Sequence, residues 1–265
     1  MLGIADYHFL RPLGEGSHGS FYLAEAPPRL GLDGGAQVGV KVMAGRTNED
    51  SFRRATRELR AFAAAPSPYL VTLLDAGQQD GVFFYSMEYC PLGSLATPAR
   101  PLSRGDIVRA VAQAARGAHA LHEAGLVHRG IKPANVLLHE NGAKLSDLGL
   151  VQALLPGQTV TGLGPVGAVE YIDPAVLLGA PGSRASDIWS LGVTLHRVLT
   201  GEGVYGELPD DEPLVAVRKV LGSSPQLHAS LSPDDAALVS RCLAPDPADR
   251  PRDAQSLAQE LEALA

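Results

Sequence analysis

The pattern of apolar and polar positions changes its period along the chain. Short strand-like runs come first: Tyr7 to Leu13 leads into a glycine turn, Ser20 to Ala24 follows, and Gln37 to Met43 is a third, apolar strand. A Pro/Gly-rich hairpin region, Pro27 to Gly35, precedes that third strand. Between Ser51 and Ala64 the period becomes helical, with Phe52, Ala55, Leu59 and Phe62 recurring at three and four. Tyr69 to Ala76 and Val82 to Tyr89 read as two further strands around the turn Gln78-Gln79-Asp80-Gly81. After Gly93 the chain turns mostly helical. Arg104 to Ala124 carries Ile107, Val111, Ala114, Ala118 and Leu121 on one stripe. Asp187 to Thr200 stops at Gly201, and Pro213 to Leu221, Pro233 to Leu243 and Asp253 to Leu264 read as three more helices. Strands with one helix, then a helical part, predict an α+β protein of two lobes.

Composition narrows the function classes. Of the 265 residues 45% are apolar and 19% charged, enough to bury a core. The net charge of −7 provides no basic field for a phosphate backbone, so nucleic acid is not an expected partner. The basic run Arg53, Arg54, Arg57 and Arg60 has helical spacing and reads as a solvated face. Two cysteines, Cys90 and Cys242, without a CxxC or ligand cluster, point to a reducing, cytoplasmic setting. No signal-peptide pattern opens the chain, and no apolar run reaches the ~20 residues that span a bilayer.

Candidate chemistry begins at Gly14-Glu15-Gly16-Ser17-His18-Gly19, a GxGxxG string. Such glycines either form a plain turn or let backbone N–H groups approach a phosphate closely. The string leads into another strand rather than a helix, which separates it from a dinucleotide-binding turn, and no GxxxxGK[ST] is present. Val38-Gly39-Val40-Lys41 ends a strand on a lysine, and Glu58, inside the helix, is placed to pair with it. The most telling stretch is Val127-His128-Arg129-Gly130-Ile131-Lys132-Pro133-Ala134-Asn135-Val136-Leu137-Leu138, followed by Asp147-Leu148-Gly149. Asn135 and Asp147 are residue types that could both supply oxygen to Mg²⁺, a hard cation that prefers such ligands.

With these motifs in this order, the chain resembles the protein kinases, and among them the bacterial Ser/Thr kinases of eukaryotic type, over roughly residues 5 to 265. The resemblance implies one kinase-like domain over 1–265: a small, mainly β N-lobe of about 5–90, a hinge of about 88–93 and a larger helical C-lobe of about 94–265. It implies ATP and Mg²⁺ as cofactors and assigns roles by position. Gly14, Gly16 and Gly19 match the loop over the phosphates, Lys41 the lysine on the α- and β-phosphates, and Glu58 its partner. Met87 matches the gatekeeper and Glu88 to Cys90 the adenine-binding hinge. Lys132 matches the γ-phosphate lysine, and Asn135 and Asp147 the two Mg²⁺ ligands. Asp187 matches the aspartate that orients the catalytic loop, and Arg250 the arginine that anchors the end of the activation segment. His128, Leu148 and Phe62 match members of the hydrophobic stack, and Thr159 and Thr161 lie where related kinases are phosphorylated, with Arg129 as the receiving charge.

The departures matter as much. Gly130 stands where the family has its catalytic aspartate, which takes the acceptor hydroxyl's proton. Losing a general base costs roughly 10²–10⁴ in rate, or about 3–5 kcal/mol of barrier. In Gly167-Ala168-Val169-Glu170-Tyr171-Ile172-Asp173-Pro174-Ala175 the family's threonine is Ala168 and its glutamate is Ala175, which implies that Arg250 has lost its partner. On the nucleotide side the usual valine is Phe21 and the usual alanine is Gly39. Phe21 either leans into the space that Gly39 vacates or fills the adenine pocket. The expectation is a pseudokinase that binds ATP and Mg²⁺ and signals by shape to an unidentified protein partner. The alternatives are a weak Ser/Thr kinase and a scaffold that takes no nucleotide.

Overall fold

A computed structural model of the chain describes residues 3–16, 19–147, 166–209 and 212–265. Among these, contacts gather into two compact units, one of residues 3–64 and 71–90 and one of residues 65–70, 91–147 and 166 onward.

The first unit is built on one antiparallel sheet with strand order β1-β2-β3-β4-β6-β5. Its strands are β1 (Gly3–Ile4), β2 (Tyr7–Gly16), β3 (Gly19–Glu25), β4 (Gln37–Met43), β5 (Leu73–Gln79) and β6 (Val82–Glu88). The β5–β6 turn closes at Asp80 and Gly81, both at positive φ, 51° and 81°. This is the Asp-Gly chemistry that a tight hairpin selects. One face of the sheet carries the unit's core: Ala24, Val38, Val40, Val42 and Phe84 pack with Ile4 and Tyr7. The Tyr7 hydroxyl reaches Ser86 Oγ at 2.8 Å, so the buried phenol is satisfied, and burial holds its pKa up at about 12. Helix α1 (Glu49–Ala64) buries Ser51, Ala55, Leu59 and Phe62. Phe52 sits beside that stripe, edge-on to Phe83 at 5.7 Å. Arg53, Arg57 and Arg60 stay exposed, as a solvated face requires.

The second unit is helical apart from the two-stranded hairpin β7 (Val136–His139) and β8 (Gly142–Leu145). Its helices are α2 (Arg104–Glu123), α3 (Pro174–Leu177), α4 (Arg184–Thr200), α5 (Pro213–Gly222), α6 (Pro233–Cys242) and α7 (Ala254–Leu264). Helix α2 starts in a capping box between Ser103 and Asp106. Its alanines and Gly117 let neighbours approach all round, so it buries far more than the predicted stripe, while Ile107 is only half-buried. A Cβ at Gly117 would stand 2.7 Å from the Tyr69 carbonyl. Helix α4 is the most enclosed, buried continuously from Ser186 to His196, and it ends at Gly201 in the left-handed conformation, φ 77°. Bidentate pairs tie the periphery: Arg104 with Asp235, and Arg116 with Glu262. Among the described residues no helix is long and apolar enough to cross a membrane.

Candidate functional site

In the first unit, cross-strand register decides which side chains share a face. Phe21 lies opposite Lys41 and Lys41 opposite Tyr85; Leu23 lies opposite Gly39 and Gly39 opposite Met87. Directly opposed residues point the same way, so Phe21, Gly39, Lys41 and Met87 share the face turned away from the apolar core. The Phe21 ring reaches diagonally across β4 onto Gly39. A Cβ built on Gly39 would lie 2.6 Å from Phe21 Cζ and 3.2 Å from Cε2. The ring occupies the volume that an alanine side chain at 39 would take.

The glycine string has two different needs. Gly19 has φ 147°, and a Cβ there would stand 2.0 Å from the Val42 carbonyl, so only glycine lets β3 close on β4. A Cβ on Gly14 would meet nothing within 4 Å. Gly16 pairs with Gly19 at the hairpin's end; Ser17 and His18 lie outside the described residues. Lys41 is half-buried on β4, and Glu58 is half-buried on α1 beside the Ala55–Leu59–Phe62 stripe. At the end of β6, Glu88 is pinned twice to Thr72: its N–H donates to the Thr72 carbonyl at 2.9 Å, and its Oε1 accepts from the Thr72 N–H at 2.6 Å. Cys90 follows, buried.

In the second unit the loop after α2 is held by a buried carboxylate. Asp187, fully buried on α4, accepts from the backbone N–H of His128 at 2.8 Å and of Arg129 at 2.9 Å. His122, in the last turn of α2, adds a contact from Nε2 at 2.8 Å. These bonds hold Arg129 at φ 62°, a left-handed conformation costly for a residue with a Cβ. His128 is buried, which pushes its pKa below the usual histidine range and leaves the ring neutral. Its tautomer follows from its neighbours: Nδ1 accepts from the Gly130 N–H at 3.2 Å, so Nε2–H donates to the Ser146 carbonyl at 3.0 Å.

Asn135 closes the loop. Its side-chain amide donates to the Gly130 carbonyl at 2.7 Å, and its own carbonyl accepts from Ser146 N–H at 2.8 Å and from Ser146 Oγ at 3.1 Å. Anchored through nitrogen, Asn135 keeps Oδ1 as its ligating atom. Asp147 follows Ser146 directly, also at positive φ, 66°. One amide oxygen and one carboxylate make a hard donor set that suits Mg²⁺. Lys132 is half-buried and opens the short 3₁₀ turn Pro133–Asn135. Leu148, Gly149, Thr159 and Thr161 lie outside the described residues.

Around Gly130 there is room. The three nearest atoms to a Cβ built there are the Asp147 carbonyl oxygen at 3.4 Å, Asn135 Nδ2 at 3.7 Å and His128 Cε1 at 3.7 Å. These are ordinary van der Waals distances, and none of the three atoms belongs to a carboxylate.

One expectation is overturned. Arg250 has not lost its partner: Nη1 bonds Asp173 Oδ2 at 2.5 Å and the Ala185 carbonyl at 2.9 Å, and Nε donates to the Ala244 carbonyl at 2.8 Å. The pair is buried, with side chains 1% and 6% exposed, and the guanidinium lies 5.1 Å from the Trp189 ring centre. Asp173 stands two residues before Ala175 and also caps α3, its Oδ1 accepting from the Ala175 N–H at 3.0 Å. The carboxylate missing at 175 has an equivalent at 173. Asp173 and His122 both escape a reading by motif. The signal for Asp173 was an aspartate directly before Pro174, an N-cap signature; nothing in the sequence marks His122 beyond its place in the last turn of α2.

Comparison with known proteins agrees with this arrangement. Residues 7–261 match the family model described as the protein kinase domain. The chain is 32% identical over 265 residues to the serine/threonine-protein kinase PknK of Mycobacterium bovis, covering 97% of this chain and 23% of that protein. It is 33% identical to the serine/threonine-protein kinase pkn2 of Myxococcus xanthus, over 97% of this chain and 32% of that one. It is 28% identical to the serine/threonine-protein kinase PrkC of Bacillus subtilis, over 97% of this chain and 40% of that one. The chain therefore spans well under half the length of these relatives. It belongs to the protein kinase superfamily, with the bacterial eukaryotic-like Ser/Thr kinases, and has their bilobal α+β fold.

Proposed function

We propose that this kinase domain binds ATP with Mg²⁺ in the cytoplasm but is impaired in phosphotransfer, and that it acts on a protein partner as a nucleotide-responsive signalling module. The observation that carries the reading is Gly130 within a loop whose other holding contacts are in place. Lys41, Glu58, Asn135 and Asp147 are the residues that would hold nucleotide and metal, with Glu88 to Cys90 as the hinge segment. Mg²⁺, when bound, neutralises phosphate charge. The chain's part is to position the nucleotide. At residue 130 it offers no group to receive the acceptor's proton, which removes roughly 10²–10⁴ of rate.

A thermal-shift titration with ATP, with and without Mg²⁺, tests the first half. A native-state ligand stabilises by RT ln(1 + [L]/Kd), about 2.7 kcal/mol at a hundred times Kd. No shift at millimolar ATP would leave a scaffold without nucleotide. Transfer from γ-labelled ATP to a generic protein substrate tests the second half. Robust turnover that disappears in Asp147→Ala would establish the second reading, a working Ser/Thr kinase. That reading has its own support in the Asp173–Arg250 pair, which supplies Arg250 with a carboxylate although residue 175 is alanine, and in the names of the relatives.

A further inference from the structure

The strand that opens the glycine hairpin, β2, is irregular, and the irregularity decides where Arg11 goes. Phe9 lies opposite Ala24 on β3 and Arg11 opposite Leu23, so one extra residue, Leu10, stands between them as a bulge; a second shift lies between Pro12 and Gly14. Phe9 packs on the apolar core of the sheet, stacked on Tyr22 at 4.1 Å. In a regular strand Arg11, two residues on, would point to that same side. The bulge turns it to the opposite face, in line with Leu23, Gly39 and Met87. This is the face of Phe21 and Lys41, the one assigned to nucleotide.

There Arg11 Nη2 donates to the Tyr89 hydroxyl at 3.0 Å. Tyr89 directly follows β6, within the hinge segment Glu88 to Cys90. Strands β3 and β4 lie between β2 and β6 in the sheet, so the bond is a strap across the face and not a contact between neighbouring strands. The residues in line with Arg11 on those strands, Leu23, Gly39 and Met87, are buried.

The strap offers little to the stability of the fold. Arg11 is exposed and Tyr89 half-buried, and among the described residues Arg11 has the neutral phenol and no carboxylate as its partner. Changes at such positions are usually worth little to folding. What the strap does hold is an edge. Strand β1 pairs with β2 at Tyr7 and His8, and from Phe9 to Gly16 β2 pairs with β3 alone among the described residues. The edge strand that carries Gly14 and Gly16 is thereby tied to the hinge segment.

We propose that Arg11 and Tyr89 are positioning residues for the nucleotide: their bond fastens the edge strand of the glycine hairpin to the hinge segment and holds the hairpin in its nucleotide-binding position before ATP arrives. The inference rests on the reading above that this domain binds ATP. A hairpin ordered in advance leaves less to immobilise on binding, and the affinity gains accordingly.

Calorimetric titration of the whole chain with ATP and Mg²⁺ tests this. Arg11→Ala and Tyr89→Phe should each weaken binding about three- to ten-fold, and the double variant no more than the weaker single one, because both changes remove the same bond. Arg11→Lys keeps an N–H donor and should lie nearer the parent than Arg11→Ala. Melting temperatures without nucleotide should stay within about 2 °C of the parent, which separates an effect on binding from one on folding. If Arg11→Ala binds weakly while Tyr89→Phe stays within about two-fold of the parent, the guanidinium acts on the nucleotide directly and the strap is overturned. Additive losses in the double variant, or unchanged affinity in every variant, overturn it equally. A parent chain that takes up no ATP at about 1 mM would overturn the ATP reading itself and this inference with it, so the parent titration tells the two failures apart.

Discussion

Removing the Asp173 carboxylate should unfold this domain far more readily than removing any surface charge. The structure divides that effect into two parts. Oδ2 pairs with the buried Arg250 guanidinium, and Oδ1 caps α3. Asp173→Asn keeps a capping oxygen, since asparagine caps as well as aspartate, and removes only the charge pairing. Breaking a buried ion pair from one side costs about 3–5 kcal/mol. The Ala185 and Ala244 carbonyls still receive Arg250, so a loss near the lower end, about 3 kcal/mol, is expected. Asp173→Ala loses the cap as well and should cost about 1 kcal/mol more.

The molecule contains its own reporter. Trp189 is the one tryptophan of the chain, is 2% exposed, and lies against Arg250. Urea unfolding followed by its fluorescence therefore reads the site directly. The double variant Asp173→Ala/Ala175→Glu moves the carboxylate to the family's usual place and should recover at least half of the loss. A stability for Asp173→Asn within about 0.5 kcal/mol of the parent, the range of an ordinary surface change, would refute the claim that Asp173 has taken over the missing glutamate's role.

Three other outcomes follow from the same structure. Gly39→Ala should displace the Phe21 ring, and Phe21→Val should leave a void over Gly39, whereas Phe21→Val/Gly39→Ala fits; a double-mutant cycle in urea should show coupling of about 1 kcal/mol or more, and additive effects would mean that the ring does not rest on Gly39. Gly130→Asp should fold within about 1 kcal/mol of the parent, because its Cβ meets nothing closer than 3.4 Å; transfer from labelled ATP should rise and rise further with Ala168→Thr, and no rise in either variant would refute the proposal that Gly130 limits phosphotransfer. Burial depresses the pKa of both His128 and His196, so the unfolded chain binds protons first as pH falls below about 6.5, and stability should drop by at most about 1.4 kcal/mol per pH unit for each; urea midpoints between pH 7.5 and 5.5 that do not fall would contradict the burial of neutral rings.

Much of this was legible from period and motif, and the failures share a cause. Gln37–Met43 emerges as a strand with its predicted ends, because an apolar run between turn residues has few alternatives. The β7–β8 hairpin was missed, since four-residue strands are too short for a period to register. The exchange of Phe21 for Gly39 could be suspected from volume alone; which way the ring lay needed the register. The assignment of Arg250 failed because motif matching compares positions, whereas a carboxylate is useful wherever its oxygen arrives. Asp173 and Arg250 are 77 residues apart in sequence, and only the fold shows that a shift of two residues along the chain leaves the charge within reach.

That distinction also bears on Gly130. The catalytic loop is held by backbone groups and by side chains other than that of residue 130. Asp187 takes the N–H groups of His128 and Arg129, His128 takes the Gly130 N–H, and Asn135 donates to the Gly130 carbonyl. Residue 130 contributes two backbone bonds that any amino acid other than proline provides. Its side chain is thus a chemical part and not a structural one, so a glycine there can remove the proton acceptor while the loop keeps its shape. The Asp173–Arg250 pair is the opposite case: a charge buried there cannot be dropped without exposing the fold to its loss, and the chain supplies it from another position.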